Sequence, residues 1–294
     1  MSLPNVFIIG SQKSSSTMIQ SALSSHKDCY TEHAENQFFE DQEYDCKRID
    51  MLEQKFSNID ASIRVLKRPT LLTRPSAIDR IKLHVPNAKF IVVLRDPVSR
   101  AISAYYHYMR YNLIPHEDIE VGLNNILDNY HEDKSGVASE ILEYGLYGRY
   151  LNIWLDSFDK EKFLVFRTEE FGKDSEVAFK RLFEFLEIDN VEVPILNDKK
   201  KNIGIYNTLP LTMARLASRV KVSVHGEGHY TKRRKSSLVT APIWYPLERL
   251  AFFIESKNQK KECSDFLKRR LADFYLEDQK ITNDLFQQTV VHRT

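Results

Sequence analysis

Strands alternating with helices predict an α/β fold: a single domain over residues 1–294 whose core, about 5–190, is a parallel sheet flanked by helices. Three observations carry that expectation. Val6-Phe7-Ile8-Ile9 and Ala88-Lys89-Phe90-Ile91-Val92-Val93-Leu94 read as strands buried on both faces, the first apolar throughout. A run of small polar residues, 11–16, follows the first strand and opens into a helix with Met18, Ile19, Ala22 and Leu23 on one face. Pro97 follows the second strand where a helix can start, and residues 98–111 continue it.

The remaining elements follow in order. Ser62-Ile63-Arg64-Val65-Leu66 reads as a strand, as does the short Phe163-Leu164-Val165-Phe166. Between them Tyr147, Tyr150, Leu151, Trp154, Leu155 and Phe158 fall at helical spacing, and a further helix is predicted over 175–186. Residues 197–237 read as irregular and basic. Two helical stretches, 247–255 and 260–274, form a C-terminal cap. No internal repeat or low-complexity linker interrupts the chain.

Composition narrows the function classes. With 42% hydrophobic and 28% charged residues the chain has the balance of a soluble globular protein. A net charge of +1 supplies no global field for nucleic acid, so an anion site must come from local clusters. Cys29, Cys46 and Cys263 are too few and too scattered for a zinc pattern or a disulfide framework, which fits a reducing compartment. The N-terminus runs straight into a strand, and the longest apolar run near the C-terminus, 250–254, is far too short to cross a bilayer. The expectation is a soluble, cytoplasmic protein with no membrane span.

The chemistry concentrates in two junctions. Ile9-Gly10-Ser11-Gln12-Lys13-Ser14-Ser15-Ser16-Thr17 is strand, small-residue loop, helix, the P-loop-like arrangement in which helix-start N–H groups and the helix dipole meet phosphate. Lys13 comes early and the second glycine is missing, so this is not the nucleotide-hydrolase pattern. An early lysine followed by hydroxyls suits a phosphosulfate. The plain alternative is a serine-rich turn with a solvated lysine. Leu94-Arg95-Asp96-Pro97 begins the second junction, where Arg95 offers a planar fork to a phosphate. Ser103 lies eight residues further, about two helical turns on, and Asp96 is placed to cap the helix or to pair with Arg100.

Together these segments resemble the PAPS-dependent sulfotransferases, closest to the carbohydrate branch of heparan sulfate N- and O-sulfotransferases. Phe7-Ile8-Ile9-Gly10-Ser11-Gln12-Lys13 with the hydroxyls after it resembles the family's 5′-phosphosulfate loop. Phe90 to Pro97, through Ser103, resembles its 3′-phosphate motif. The resemblance implies a sulfuryl transfer from PAPS (3′-phosphoadenosine-5′-phosphosulfate), with PAP as product and no metal. It implies donor contacts from Lys13, Ser14, Ser15, Ser16, Thr17, Arg95 and Ser103. Ser15 departs from the glycine usual in that loop; a negative φ would accommodate it, and otherwise donor geometry is altered.

Glu35-Asn36-Gln37-Phe38-Phe39 resembles the segment whose glutamate is the catalytic base, which makes Glu35 the base and His33 the competitor. For these carboxylates the plain alternative is a solvated acidic cluster, since Glu32, Glu40, Asp41 and Glu43 are close by. Lys67 resembles the strand-end lysine that reaches the sulfuryl group or acceptor, although Leu66 stands where an acid is usual. Lys232 and Arg234 resemble a basic loop that folds over the donor, with Arg233 in place of its glycine. The acceptor implied is a glycan hydroxyl or amine, with a small metabolite or lipid, or a binding protein that has lost the chemistry, as alternatives. Tyr105, Tyr106, Tyr108 and Tyr111 fit either sugar stacking or, more commonly at helical spacing, packing. A P-loop kinase would need Gly-Lys-Ser/Thr at the loop end, which is missing.

Overall fold

The structure is a computed structural model. It describes residues 2–32, 34–40, 44–132, 136–191, 193, 204–225, 230–259 and 262–291, without the side chains of 173, 224, 225, 230–233, 235 and 288–291. The elements run β1 (Val6–Gly10), α1 (Ser16–Ser24), β2 (Cys29–Thr31), α2 (Ile49–Ser57), β3 (Ile63–Lys67), α3 (Ser76–His84) and β4 (Lys89–Leu94). Next come α4 (Pro97–Arg110), α5 (Ile119–Asn129), α6 (Glu140–Glu143), α7 (Tyr147–Ser157), β5 (Phe163–Arg167), α8 (Thr168–Lys173) and α9 (Ser175–Leu186). The chain closes with α10 (Thr208–Lys221), β6 (Val222–His225), β7 (Tyr230–Arg233), α11 (Ala241–Lys257) and α12 (Asp265–Val291). They form two compact units: residues 1–96, 146–196 and 276–294, and residues 97–145 and 197–275.

The first unit holds a five-stranded sheet in the order β2-β3-β1-β4-β5, with every neighbouring pair parallel. Alternation along the strands sends side chains to two cores. Phe7, Ile9, Leu66, Phe90, Val92, Phe163 and Val165 pack with Phe56 of α2, Ile81 of α3 and Trp154 of α7. Val6, Ile8, Val65, Ile91, Val93, Leu164 and Phe166 pack with Ile19 and Leu23 of α1 and Leu182 and Phe183 of α9. Both faces are therefore covered, which is why β1 and the inner stretches of β4 and β5 read as apolar runs.

This strand order fixes where a ligand can sit. From β1 the chain crosses towards β2, and from β4 it crosses the other way towards β5. β1 and β4 are thus the neighbours at which the direction of crossing reverses, and the carboxyl ends of such a pair are the usual binding position in parallel sheets. Gly10 closes β1 there because a Cβ would lie 2.8 Å from Leu72 Cδ2 and 2.9 Å from its Cβ. Behind it, Trp154 Nε1 donates to the Leu72 carbonyl at 2.9 Å, tying α7 to the same corner.

The second unit is helical, with an antiparallel β6–β7 hairpin. Here the structure corrects the reading of 197–237 as irregular, since α10 and the hairpin occupy much of it. The helix was hard to see because its buried face is built partly from Ala214, Ala217 and Ser218, whose small side chains give a weak apolar period among charges. α11 starts at Ala241 and continues through Pro246, and α12 runs on to Val291, well beyond the expected 274. Tyr105, Tyr106 and Tyr108 are buried at 1%, 5% and 3% exposure, so they are packing residues rather than an exposed stacking platform. Tyr108 donates to Glu140 at 2.7 Å, and burial raises the pKa of both Tyr105 and Tyr106.

Candidate active site

The β1–α1 loop is held from three sides within the first unit. Ser11 N–H donates to the Val93 carbonyl at 2.8 Å, continuing the contact between β1 and β4. The Ser11 hydroxyl meets that of Ser14 at 2.5 Å and reaches Tyr147 Oη at 3.3 Å. Arg95, leaving β4, donates from NH1 to the Lys13 carbonyl at 3.1 Å and so ties the two strand ends together. Ser14 and Ser16 are buried, while Ser15 and Thr17 are exposed. α1 begins with no side-chain cap and no acid in its first turn, leaving its positive end to whatever anion the loop receives.

Two loop residues are left-handed. Lys13 has φ 68 and Ser15 φ 63. The negative φ that would have accommodated serine at position 15 is therefore not what the loop adopts; the chain takes the glycine-like conformation with a serine in it.

Lys67 ends β3 and is only 8% exposed. Its Nζ donates to Thr17 Oγ1 and Gln20 Oε1, both at 3.1 Å, and lies 3.9 Å from Glu35 Oε1. Burial holds its ammonium pKa below the usual 10.5, with the Glu35 charge acting in the opposite direction. Glu35 itself follows β2 and is held beside β3 by the Asn36 N–H donating to the Lys67 carbonyl at 3.2 Å. Lys13, Glu35, Lys67 and Arg95 thus converge at the carboxyl ends of β1, β2, β3 and β4.

Sequence reasoning missed the group behind Glu35. Arg68, 7% exposed, takes both carboxylate oxygens of Glu40, from Nε at 2.8 Å and NH2 at 3.0 Å, and reaches Glu35 Oε2 from NH1 at 2.9 Å. Glu40 is fully buried and also accepts the Thr70 hydroxyl at 2.6 Å, which corrects its place in a solvated acidic cluster. Glu32 is likewise engaged, with Lys55 and with Asn36. The available signal was Arg68 next to a strand-end lysine: an arginine carried into the core needs a buried carboxylate. Leu66, at the position where the resemblance has an acid, is fully buried in the apolar core.

The other expected residues belong to the second unit or lie outside the described residues. His33 lies outside the described residues, as does the side chain of Lys232 on β7. Ser103 is buried on α4 in the second unit. Arg234 is exposed, and its Nε donates to the Val222 carbonyl at 2.8 Å at the base of the hairpin. Arg100, a possible partner for Asp96, is fully buried and donates instead to the Ile141 carbonyl. Among the described residues, no helix is long and apolar enough to cross a membrane.

Residues 3–207 match the family model described as "Sulfotransferase domain". This chain belongs to that family. Among relatives of this sulfotransferase domain, the bifunctional heparan sulfate N-deacetylase/N-sulfotransferase 1 of Caenorhabditis elegans is 30% identical over 199 residues, covering 64% of this chain and 22% of that protein. Human carbohydrate sulfotransferase 15 is 33% identical over 133 residues, 41% of this chain and 23% of that protein. The sulfotransferase domain therefore spans under a quarter of the length of these two relatives. The solved structure of a sulfotransferase from Alicyclobacillus acidocaldarius superposes with TM-score 0.58 at 22% identity, covering 74% of this chain and 92% of that one, a likeness of fold.

Proposed function

We propose that this sulfotransferase moves the sulfuryl group of PAPS onto a carbohydrate hydroxyl or amine, with Glu35 as base. The observation that carries the proposal is the convergence of a lysine-bearing loop, a buried lysine and an exposed-edge carboxylate on one end of one sheet. Glu35 Oε1 lies 3.9 Å from Lys67 Nζ, and Lys67 is hydrogen-bonded to Thr17 at the end of the loop, so base and donor loop are mechanically linked.

In this reading Lys13 and the α1 N-terminus neutralise the phosphosulfate, and Arg95 takes the 3′-phosphate. Ser103, Lys232 and Arg234 enter the proposal from their motifs. Glu35 accepts the acceptor's proton while the acceptor oxygen or nitrogen bonds to sulfur. The bond from sulfur to the bridging phosphate oxygen breaks, and PAP leaves with the electron pair. Lys13 and Lys67 face the negative charge that this displaces onto oxygen. Preorganised donors of this kind contribute ~10²–10³ in rate, and a positioned base ~10²–10⁴.

The carbohydrate acceptor rests on the relatives' names, heparan sulfate and carbohydrate sulfotransferases. The test is transfer of radiolabelled sulfate from PAPS across a panel holding N-desulfated heparan sulfate, chondroitin, simple phenols and sterols. Label in a glycan, lost in Glu35→Gln, is the expected result. Label only in a phenol or sterol would overturn the acceptor, and donor binding with no product anywhere would reduce the chain to a binding protein.

A further inference from the structure

The geometry points to Arg68 as the residue that orients Glu35; we infer this on the reading of Glu35 as base. A guanidinium is planar, so fixing two of its nitrogens fixes the third. Nε and NH2 of Arg68 are both spent on Glu40, at 2.8 and 3.0 Å. Glu40 cannot swing away, since it is fully buried and also accepts the Thr70 hydroxyl at 2.6 Å. The backbone is pinned as well: Arg68 N–H donates to the Ile8 carbonyl at 2.9 Å, beside the donor loop's own strand. NH1 is thereby aimed at one spot, and Glu35 Oε2 occupies it at 2.9 Å.

Glu35 needs such a hold. Its side chain is 42% exposed, and a glutamate at a loop edge otherwise samples several rotamers. With Oε2 held by Arg68, Oε1 is the oxygen turned towards Lys67 and left to take a proton. Among the described residues, the charged groups around the base include Arg68 and Lys67 against it, Glu40 behind Arg68, and Glu32 bonded to the neighbouring Asn36. Arg68 is a positioning residue, acting through Glu35. A lysine at position 68 would keep a charge but could not bridge two carboxylates in a fixed plane.

The test compares Arg68→Lys and Glu40→Gln in the wild-type and Glu35→Gln backgrounds, using PAPS with N-desulfated heparan sulfate, PAP titration, and crystal structures with PAP bound. Misplacing a base by about 1 Å costs up to roughly a hundredfold, so each variant should lose roughly ten- to a hundredfold in kcat. PAP affinity should be unchanged, and the loss should disappear in the Glu35→Gln background. The crystal structures should show the Glu35 carboxylate displaced or split between rotamers. An unmoved Glu35, an unchanged kcat, or an equal loss with and without Glu35 would overturn the inference. Full turnover in Glu35→Gln alone would instead fell the base assignment, and the crystal structures would still decide whether Arg68 holds that side chain.

Discussion

Ser15 sits at φ 63, ψ 21, a conformation that costs an L-residue ~1–2 kcal/mol and glycine nothing. Glycine gives back ~0.5–1 kcal/mol through its freer unfolded chain. Ser15→Gly should therefore stabilise the fold by about 0.5–1 kcal/mol, raising the melting midpoint by about 2 °C. A lowered midpoint would show that the serine hydroxyl contributes more than the strain. Lys67 makes a second prediction at this scale. Because burial holds its pKa below 10.5, the unfolded chain binds the extra proton between that lowered value and 10.5. Lys67's contribution to stability accordingly rises with pH through that window. Lys67→Met should lack this rise when urea unfolding is followed from about pH 7 to about pH 10; parallel profiles for the two proteins would contradict it. The residue scale was also where the sequence was least legible. Arg68 and Glu40 are 28 residues apart, and each alone reads as a solvated charge; only the fold shows that they are buried against each other.

At the scale of elements, α7 has no cap of its own sequence: its N-cap residue is Leu146. Asp278 of α12 supplies the cap instead, accepting the Gly148 N–H at 2.9 Å and the Arg149 N–H at 2.8 Å, one on each oxygen. The close approach needs Gly148, where a Cβ would lie 2.6 Å from the Asp278 carbonyl oxygen. Asp278→Ala should cost about 0.5–2 kcal/mol in denaturant unfolding, the range for a lost helix cap. Because α7 carries Tyr147 to Ser11 and Trp154 to the Leu72 carbonyl behind Gly10, the same change should loosen the β1–α1 loop. An unchanged unfolding midpoint would mean water replaces the carboxylate. Elements were legible where burial imposes a period. β1, 90–94 of β4 and 163–166 of β5 are covered on both faces and so read as apolar runs, and α9 shows its Phe179, Leu182, Phe183 and Leu186 face openly. α2 and α3, with nine residues each and two or three buried positions, left too little pattern to read. α10 hid behind small buried residues.

For the whole molecule, the decisive feature is the order β2-β3-β1-β4-β5, which turns scattered motifs into one site. Lys13, Glu35, Lys67 and Arg95 come from separate stretches of sequence, yet a parallel sheet brings every strand's carboxyl end to the same edge. The loop and the Arg95 junction were legible because each is a strand-to-helix turn with local chemistry. Their joining through Arg95 and the Lys13 carbonyl was not, since it depends on β1 and β4 being neighbours. We propose that this edge holds PAPS through Lys13. Calorimetric titration of PAP into the wild type and Lys13→Ala tests it most directly. The prediction is saturable binding to the wild type, weakened about 10- to 100-fold in Lys13→Ala, the range for a lost hydrogen bond to a charged group. Equal affinity in the two proteins, or no binding of PAP to either, would contradict it.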